Sequence, residues 1–182
     1  MTYLSIDVET GGTSTDTSLL SAAFVFCDAQ LNEIEYRHYK VKPFNDIFTV
    51  TSKGLSINKI NLVEHVKEAT TYEIAATNLY GDLSRWSNRA INKLIPIGKN
   101  IQSDIDYITK YLVKKNTWSN FVSYNSLDIT SVLQFLRLKN KIGEVGNSLE
   151  DLLVYYGHKI DGIHDALFDA RANITVLKEM LK

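Results

Sequence analysis

Residues 19–27, Leu-Leu-Ser-Ala-Ala-Phe-Val-Phe-Cys, limit most strongly how this chain can fold. The run is apolar apart from Ser21, and it is too short and too punctuated to cross a bilayer. A run of this length bounded by turn residues reads as a buried β-strand. Its neighbours support that reading. Tyr3 to Glu9 alternates Leu4, Ile6 and Val8 with Ser5, Asp7 and Glu9, the two-residue period of a strand. Ile34 to Val41 alternates again and stops before Pro43. Short polar turns join the three, which predicts an antiparallel meander at the start of the sheet.

Beyond the meander the period changes. A short helix is predicted near 58–66, and a longer one over 71–86, where Ile74, Leu79, Leu83 and Trp86 recur at roughly helical spacing. Leu94 to Gly98 reads as a short strand ended by glycine. A helix follows over 101–114 with a stripe of Ile101, Ile105, Ile108 and Leu112. Phe121 to Tyr124 suggests a fifth strand. Asp128 is placed to cap a helix over 129–139, and Ser148-Leu149-Glu150-Asp151 resembles a capping box. The last helix spans 165–181 with a stripe of Leu167, Ala170, Ile174, Leu177 and Leu181. A meander followed by alternating strands and helices predicts an α/β fold, with a mixed five-stranded sheet flanked by helices.

With 182 residues, no repeat and no visible linker, residues 1–182 read as a single domain. The hydrophobic and charged fractions, 45% and 23%, are those of an ordinary soluble globular protein. The formal net charge of -1 gives no global field for a polyanion, so nucleic acid would need a local patch or metal ions. The sole cysteine, Cys27, excludes an intramolecular disulfide. With no signal-peptide pattern and no membrane-spanning run, this fits the cytoplasm and no membrane partner. Asn173-Ile174-Thr175 matches a glycosylation sequon but falls inside a helical pattern, and reads as chance.

Three sites could carry chemistry. Asp7 and Glu9 lie on one face at the end of the first strand, just before Gly11 and Gly12. Two carboxylates about 4 Å apart repel by on the order of 4 kcal/mol at an effective dielectric near 20, a cost that a cation between them removes. Taken alone they also fit two solvated charges on an edge strand. Asp104 falls in the first turn of a helix beside its apolar stripe, where the helix dipole by itself favours an acid. Asp106, about 200° further round, should face away. His164 and Asp169 flank the start of the last helix. In one continuous helix they would sit about 140° apart, so a shared site requires His164 to lie on the preceding loop, where Gly162 breaks regularity. Asp165 shares a helix face with Asp169 and is the competing ligand.

Together these pieces resemble something specific. Asp7-Val8-Glu9-Thr10-Gly11, Asn100-Ile101-Gln102-Ser103-Asp104 and His164-Asp165-Ala166-Leu167-Phe168-Asp169 are similar in order and spacing to the three motifs of the DEDDh 3′–5′ exonuclease superfamily. The first motif is nearest to ribonuclease T and oligoribonuclease. Asp128-Ile129-Thr130 and Leu149 to Gly157 also resemble family segments. The resemblance implies a ribonuclease H-like fold that removes nucleoside 5′-monophosphates from the 3′ ends of single-stranded nucleic acid. It implies two divalent cations, Mg2+ or Mn2+, held by Asp7, Glu9, Asp104 and Asp169; hard oxygen ligands suit those ions. His164 would take a proton from the attacking water, a role that an imidazole suits near neutral pH. Thr10, Gly11, Gly12 and Asn100 would contact the terminal nucleotide. The partners implied are single-stranded DNA or RNA 3′ ends, DNA being favoured, and a polymerase or replication protein.

Some positions depart from the family pattern. Lys99 and Ser103 stand where His and an aromatic residue are common, and Ser21 stands where the second strand often carries glutamate. Two other readings remain open here: an exoribonuclease or oligoribonuclease acting on short RNA, and a non-catalytic nucleic-acid-binding module on the same fold. A nucleotide-binding α/β protein lacks support, because neither Gly-x-Gly-x-x-Gly nor a phosphate-loop sequence is present. Lys110, Lys114, Lys115, Arg137, Lys139 and Lys141 fit a phosphate-binding rim or solvated helix faces.

Overall fold

The computed structural model describes residues 2–89 and 93–182. In chain order the elements are β1 (Tyr3–Thr10), β2 (Leu19–Cys27), β3 (Glu33–Lys42), α1 (Ser52–Asn58), α2 (Leu62–Glu68), β4 (Thr70–Thr71) and α3 (Tyr72–Arg89). They continue with β5 (Ile95–Gly98), α4 (Ile101–Tyr111), α5 (Lys115–Phe121), β6 (Leu127–Asp128), α6 (Ile129–Leu138), α7 (Leu149–Tyr155) and α8 (Ala166–Met180). Among the described residues the sheet order is β4-β3-β2-β1-β5-β6. β1, β2 and β3 pair antiparallel, whereas β4, β5 and β6 join in parallel. The mixed sheet therefore follows the sequence pattern, with six strands in place of five.

β2 is buried along its whole length because both faces of the sheet are covered. On one face Leu4, Ile6, Phe24 and Phe26 pack against Ala75, Leu79, Leu83 and Trp86 of α3 and against Ile101, Tyr107 and Ile108 of α4. Phe26 and Trp86 stack with ring centroids 5.0 Å apart. On the other face Ala23, Val25 and Cys27 meet Ala166, Ala170, Ile174 and Leu177 of α8. Each fully buried Leu or Phe contributes about 1.5–3 kcal/mol relative to exposure, which fixes the strand register. That register sends Ser5, Asp7 and Glu9 to the α8 face, where Ser5 Oγ donates to the Ala170 carbonyl at 2.7 Å.

Several local expectations need correction. The helix expected near 58–66 forms later, as α2, and a further short helix, α1, precedes it. Thr51 caps α1 by accepting from the Gly54 amide, Lys59 ends it in the left-handed region, and Asn61 caps α2. Phe121 to Tyr124 is not a strand. Trp118 is buried and pulls residues 115–121 into α5, leaving Val122 a lone bridge to Leu94; the sixth strand forms at Leu127–Asp128. Two stripe residues are misassigned: Ile74 is exposed while Ala75 is buried, and Leu181 is exposed while Met180 is buried. Asn173 of the sequon has no exposed surface and its amide donates to the Ile6 carbonyl, so in the folded chain it is a core residue.

Candidate active site

β1 delivers Asp7 and Glu9 to the end of the sheet that the helices leave open. Glu9 is buried and Asp7 half-buried. A register shift after Glu9 ends regular pairing and releases the chain into the loop that carries Gly11 and Gly12. α4 pins this corner twice. Asp104 Oδ1 accepts from the Val8 amide at 3.0 Å, between the two β1 acids. One turn on, the hydroxyl of buried Tyr107 donates to the Gly12 carbonyl at 2.8 Å. The start of α4 is itself held by Asp128, whose carboxylate accepts from the Ile101 amide at 3.1 Å while capping α6 through Thr130 and Ser131. Asp106 is exposed and points away, as its angular position predicts.

α8 supplies the remaining acid. Asp165 is the N-cap, accepting from the Leu167 and Phe168 amides. That engagement makes it a helix-capping group. His164 lies outside the helix with φ at 71°, a left-handed conformation uncommon for a side chain other than glycine. Its backbone amide donates to Asp169 Oδ2 at 3.1 Å. The side-chain ligand atoms of Glu9, His164 and Asp169 lie within 4.8 Å of one another.

The electrostatics of the cluster have one sign. Burial, followed by Asp104, Asp169, Glu9 and Asp165, pushes the Asp7 carboxyl well above its ordinary value. Glu9 is raised to about 8 by burial and then by Asp169, Asp165 and Asp104. Asp104 is raised to about 7, chiefly by burial, against the opposing hydrogen bond from Val8. Asp169 is raised to about 6, again by burial first, with the His164 amide acting the other way. Asp169 Oδ1 is buried with no hydrogen-bond partner among the described residues. Four oxygen donors that resist ionisation together, and one orphaned carboxylate oxygen, fit a hard divalent cation in both charge and ligand chemistry.

The other residues read from the sequence divide. Thr10 and Gly12 line a narrow cleft of about 110 Å3 beside Glu9, with Thr51, Gly54, Ile57 and Asn58 opposite; Gly11 does not line it. The glycines have a packing reason too. A Cβ on Gly11 would lie 2.6 Å from the Thr49 carbonyl, and one on Gly54 would lie 2.3 Å from the Gly11 carbonyl, so loop and α1 backbones meet directly. Asn100 is also left-handed, and its Oδ1 accepts from the Thr130 hydroxyl at 2.9 Å. In the basic set, Lys110 pairs with Asp16, and Arg137 donates to Asn147 and to the Val145 carbonyl. Sequence reasoning missed Asn58, whose amide holds the Thr10 carbonyl at 2.9 Å. No local sequence signal marks it, because the left-handed turn at Lys59 that follows it exists only in the fold.

No protein-family model matches the chain, and no curated protein matches it. Solved structures do. Exonuclease I from Methylocaldum szegediense superposes with a TM-score of 0.78 at 23% identity, over 97% of this chain and 39% of that one. E. coli Exonuclease I in complex with a dT13 oligonucleotide gives 0.76 at 21%, over 98% and 40%. The zinc-bound form of the E. coli Exonuclease I–single-stranded DNA complex gives 0.76 at 22%, over 97% and 40%. The chain spans about 40% of the length of these proteins, and what it shares with them is the fold.

Proposed function

We propose that residues 1–182 form one exonuclease domain of the DEDDh type, a metal-dependent 3′–5′ exonuclease acting on single-stranded ends. The observation that carries this reading is the cluster itself: Asp7, Glu9, Asp104 and Asp169 crowd one open end of the sheet with raised carboxyls, and His164 stands beside them. The Exonuclease I structures add support, since several hold single-stranded DNA oligonucleotides and one holds zinc. On that basis DNA is the favoured substrate and RNA the second. Both the polymerase or replication partner and the cytoplasmic location remain part of the proposal.

Asp7, Glu9, Asp104 and Asp169 would hold two divalent cations, Mg2+ or Mn2+. When bound, such ions stabilise charge on the attacking and leaving oxygens of an in-line displacement at phosphorus. The chain's own groups do the rest. His164 accepts a proton from the attacking water, and its left-handed backbone, tied to Asp169, aims the imidazole at the cluster. The cleft beside Glu9 receives the terminal nucleotide, with Thr10 and Gly12 on one wall and Ile57 and Asn58 on the other. Asn100, the residue that precedes α4, would be a further contact to the substrate.

Product analysis tests the reading. Single-stranded DNA and RNA of one sequence are digested in Mg2+ and the released species separated by chromatography. Nucleoside 5′-monophosphates should appear, faster from DNA. Release of nucleoside 3′-monophosphates, or of internal fragments alone, would sink it.

A further inference from the structure

Glu9 is buried as a residue, and its side chain opens onto a cavity in which no described side chain holds it by a hydrogen bond. Buried carboxylates that serve as ligands are normally held in place by an outer hydrogen bond. The strand register points to the group that could supply one. Ser21 is directly opposite Glu9 in the antiparallel β1–β2 pair, and opposite residues share a face with Cβ atoms about 4.5–5.5 Å apart. Ser21 is buried, and its hydroxyl lies 2.8 Å from Nε2 of His38 on β3. His38 itself is opposite Ala23, whose small side chain leaves room for the imidazole to lean toward Ser21. Glu9, Ser21, His38 and His164 together line a cavity of about 320 Å3.

A serine hydroxyl has one proton to give. If Nε2 of His38 is bare, Ser21 spends that proton on it and has none for Glu9. If Nε2 carries the proton, His38 donates to Ser21 and the hydroxyl is free to donate across the strand pair. We propose that His38 is a positioning residue of this site: in its Nε2–H form it orients the Ser21 hydroxyl onto Glu9 and so sets the direction in which Glu9 presents its oxygens to a cation. Burial lowers the pKa of His38, which keeps the ring in a neutral, single-donor form. Asp165 is the acid that acts on His38 through its charge, and its Oδ1 is taken by the cap of α8.

The proposal rests on Glu9 as a cation ligand, and the test separates the two. Mn2+ alone is titrated into the wild-type chain, Ser21→Ala, His38→Ala, the double variant and His38→Gln at pH 8, with affinity read calorimetrically and the fold checked by metal-free thermal unfolding. Each alanine variant should bind Mn2+ about tenfold more weakly. The double variant should be no weaker than Ser21→Ala, because the two groups act in series. His38→Gln, which keeps an N–H donor, should recover most of the loss. Long-range proton–nitrogen correlation spectra should show His38 as the Nε2–H tautomer. An Nδ1–H tautomer, unchanged Mn2+ affinity in the alanine variants, or fully additive losses overturn the positioning role while wild-type binding stands. Absence of Mn2+ binding by the wild type overturns both the role and the ligand reading.

Discussion

Replacing Glu9 by Gln should stabilise the metal-free protein, an unusual outcome for a buried residue. The fold raises the Glu9 carboxyl from its ordinary 4.5 to about 8. A raised acid costs nothing while pH stays below its unfolded value, and its full penalty is felt once pH exceeds the folded value. At about 1.4 kcal/mol per tenfold, the ceiling is roughly 5 kcal/mol above pH 8. The neighbouring acids titrate together and relax when one is neutralised, so about 2 kcal/mol is the expected gain at pH 8.5. For a chain of this size that is roughly 4–8 °C in Tm. Thermal unfolding followed by circular dichroism in EDTA at pH 5 and pH 8.5 reads it. The Gln variant should melt higher at pH 8.5 and nearly level with wild type at pH 5, where Glu9 is protonated in the fold. Added Mg2+ should raise the wild type more than the variant. A variant that melts lower than wild type at pH 8.5 in EDTA refutes the electrostatic reading of the cluster.

Three further substitutions separate neighbouring roles. Asp165→Ala removes the α8 cap and should cost about 1 kcal/mol, or about 2–4 °C in Tm, while Mn2+ titration still shows binding; Asp169→Ala should lose that binding. His164→Ala should lower the exonuclease rate by about 10²–10⁴-fold with Mn2+ affinity retained, and a parallel loss of affinity would make His164 a ligand instead. Gly54→Ala places a Cβ 2.3 Å from the Gly11 carbonyl, so α1 must shift. It should lower Tm by the equivalent of about 1–3 kcal/mol and slow digestion, both measurable on the same preparation.

The parts of the fold legible in the sequence are those set by local period. β1, β2 and β3 follow from alternation and an apolar run, and α4 and α8 from their stripes. The acid positions follow from the same periods: Asp104 beside a stripe is buried, and Asp106 opposite it is exposed. Phe121 to Tyr124 failed because a four-residue apolar run does not distinguish strand from helix end, and only the burial of Trp118 decides it. α1 is not legible and the helix expected near 58–66 forms later, at 62–68, because the boundary between the two depends on the left-handed turn at Lys59. The Ser21–His38 contact is diagonal across β2 and β3, so it exists only once the register is known. The tight meeting of Gly11 and Gly54 joins residues far apart in sequence, and no spacing rule exposes it.

The most direct measurement is a time course on 5′-labelled single-stranded DNA, with wild type and Asp7→Ala, in Mg2+ and in EDTA. A ladder shortening from the 3′ end should appear with wild type in Mg2+, and should vanish in EDTA and with the Ala variant. Full-length oligonucleotide under every condition, or a ladder that survives either EDTA or loss of Asp7, contradicts a cation-dependent exonuclease built on the end of β1.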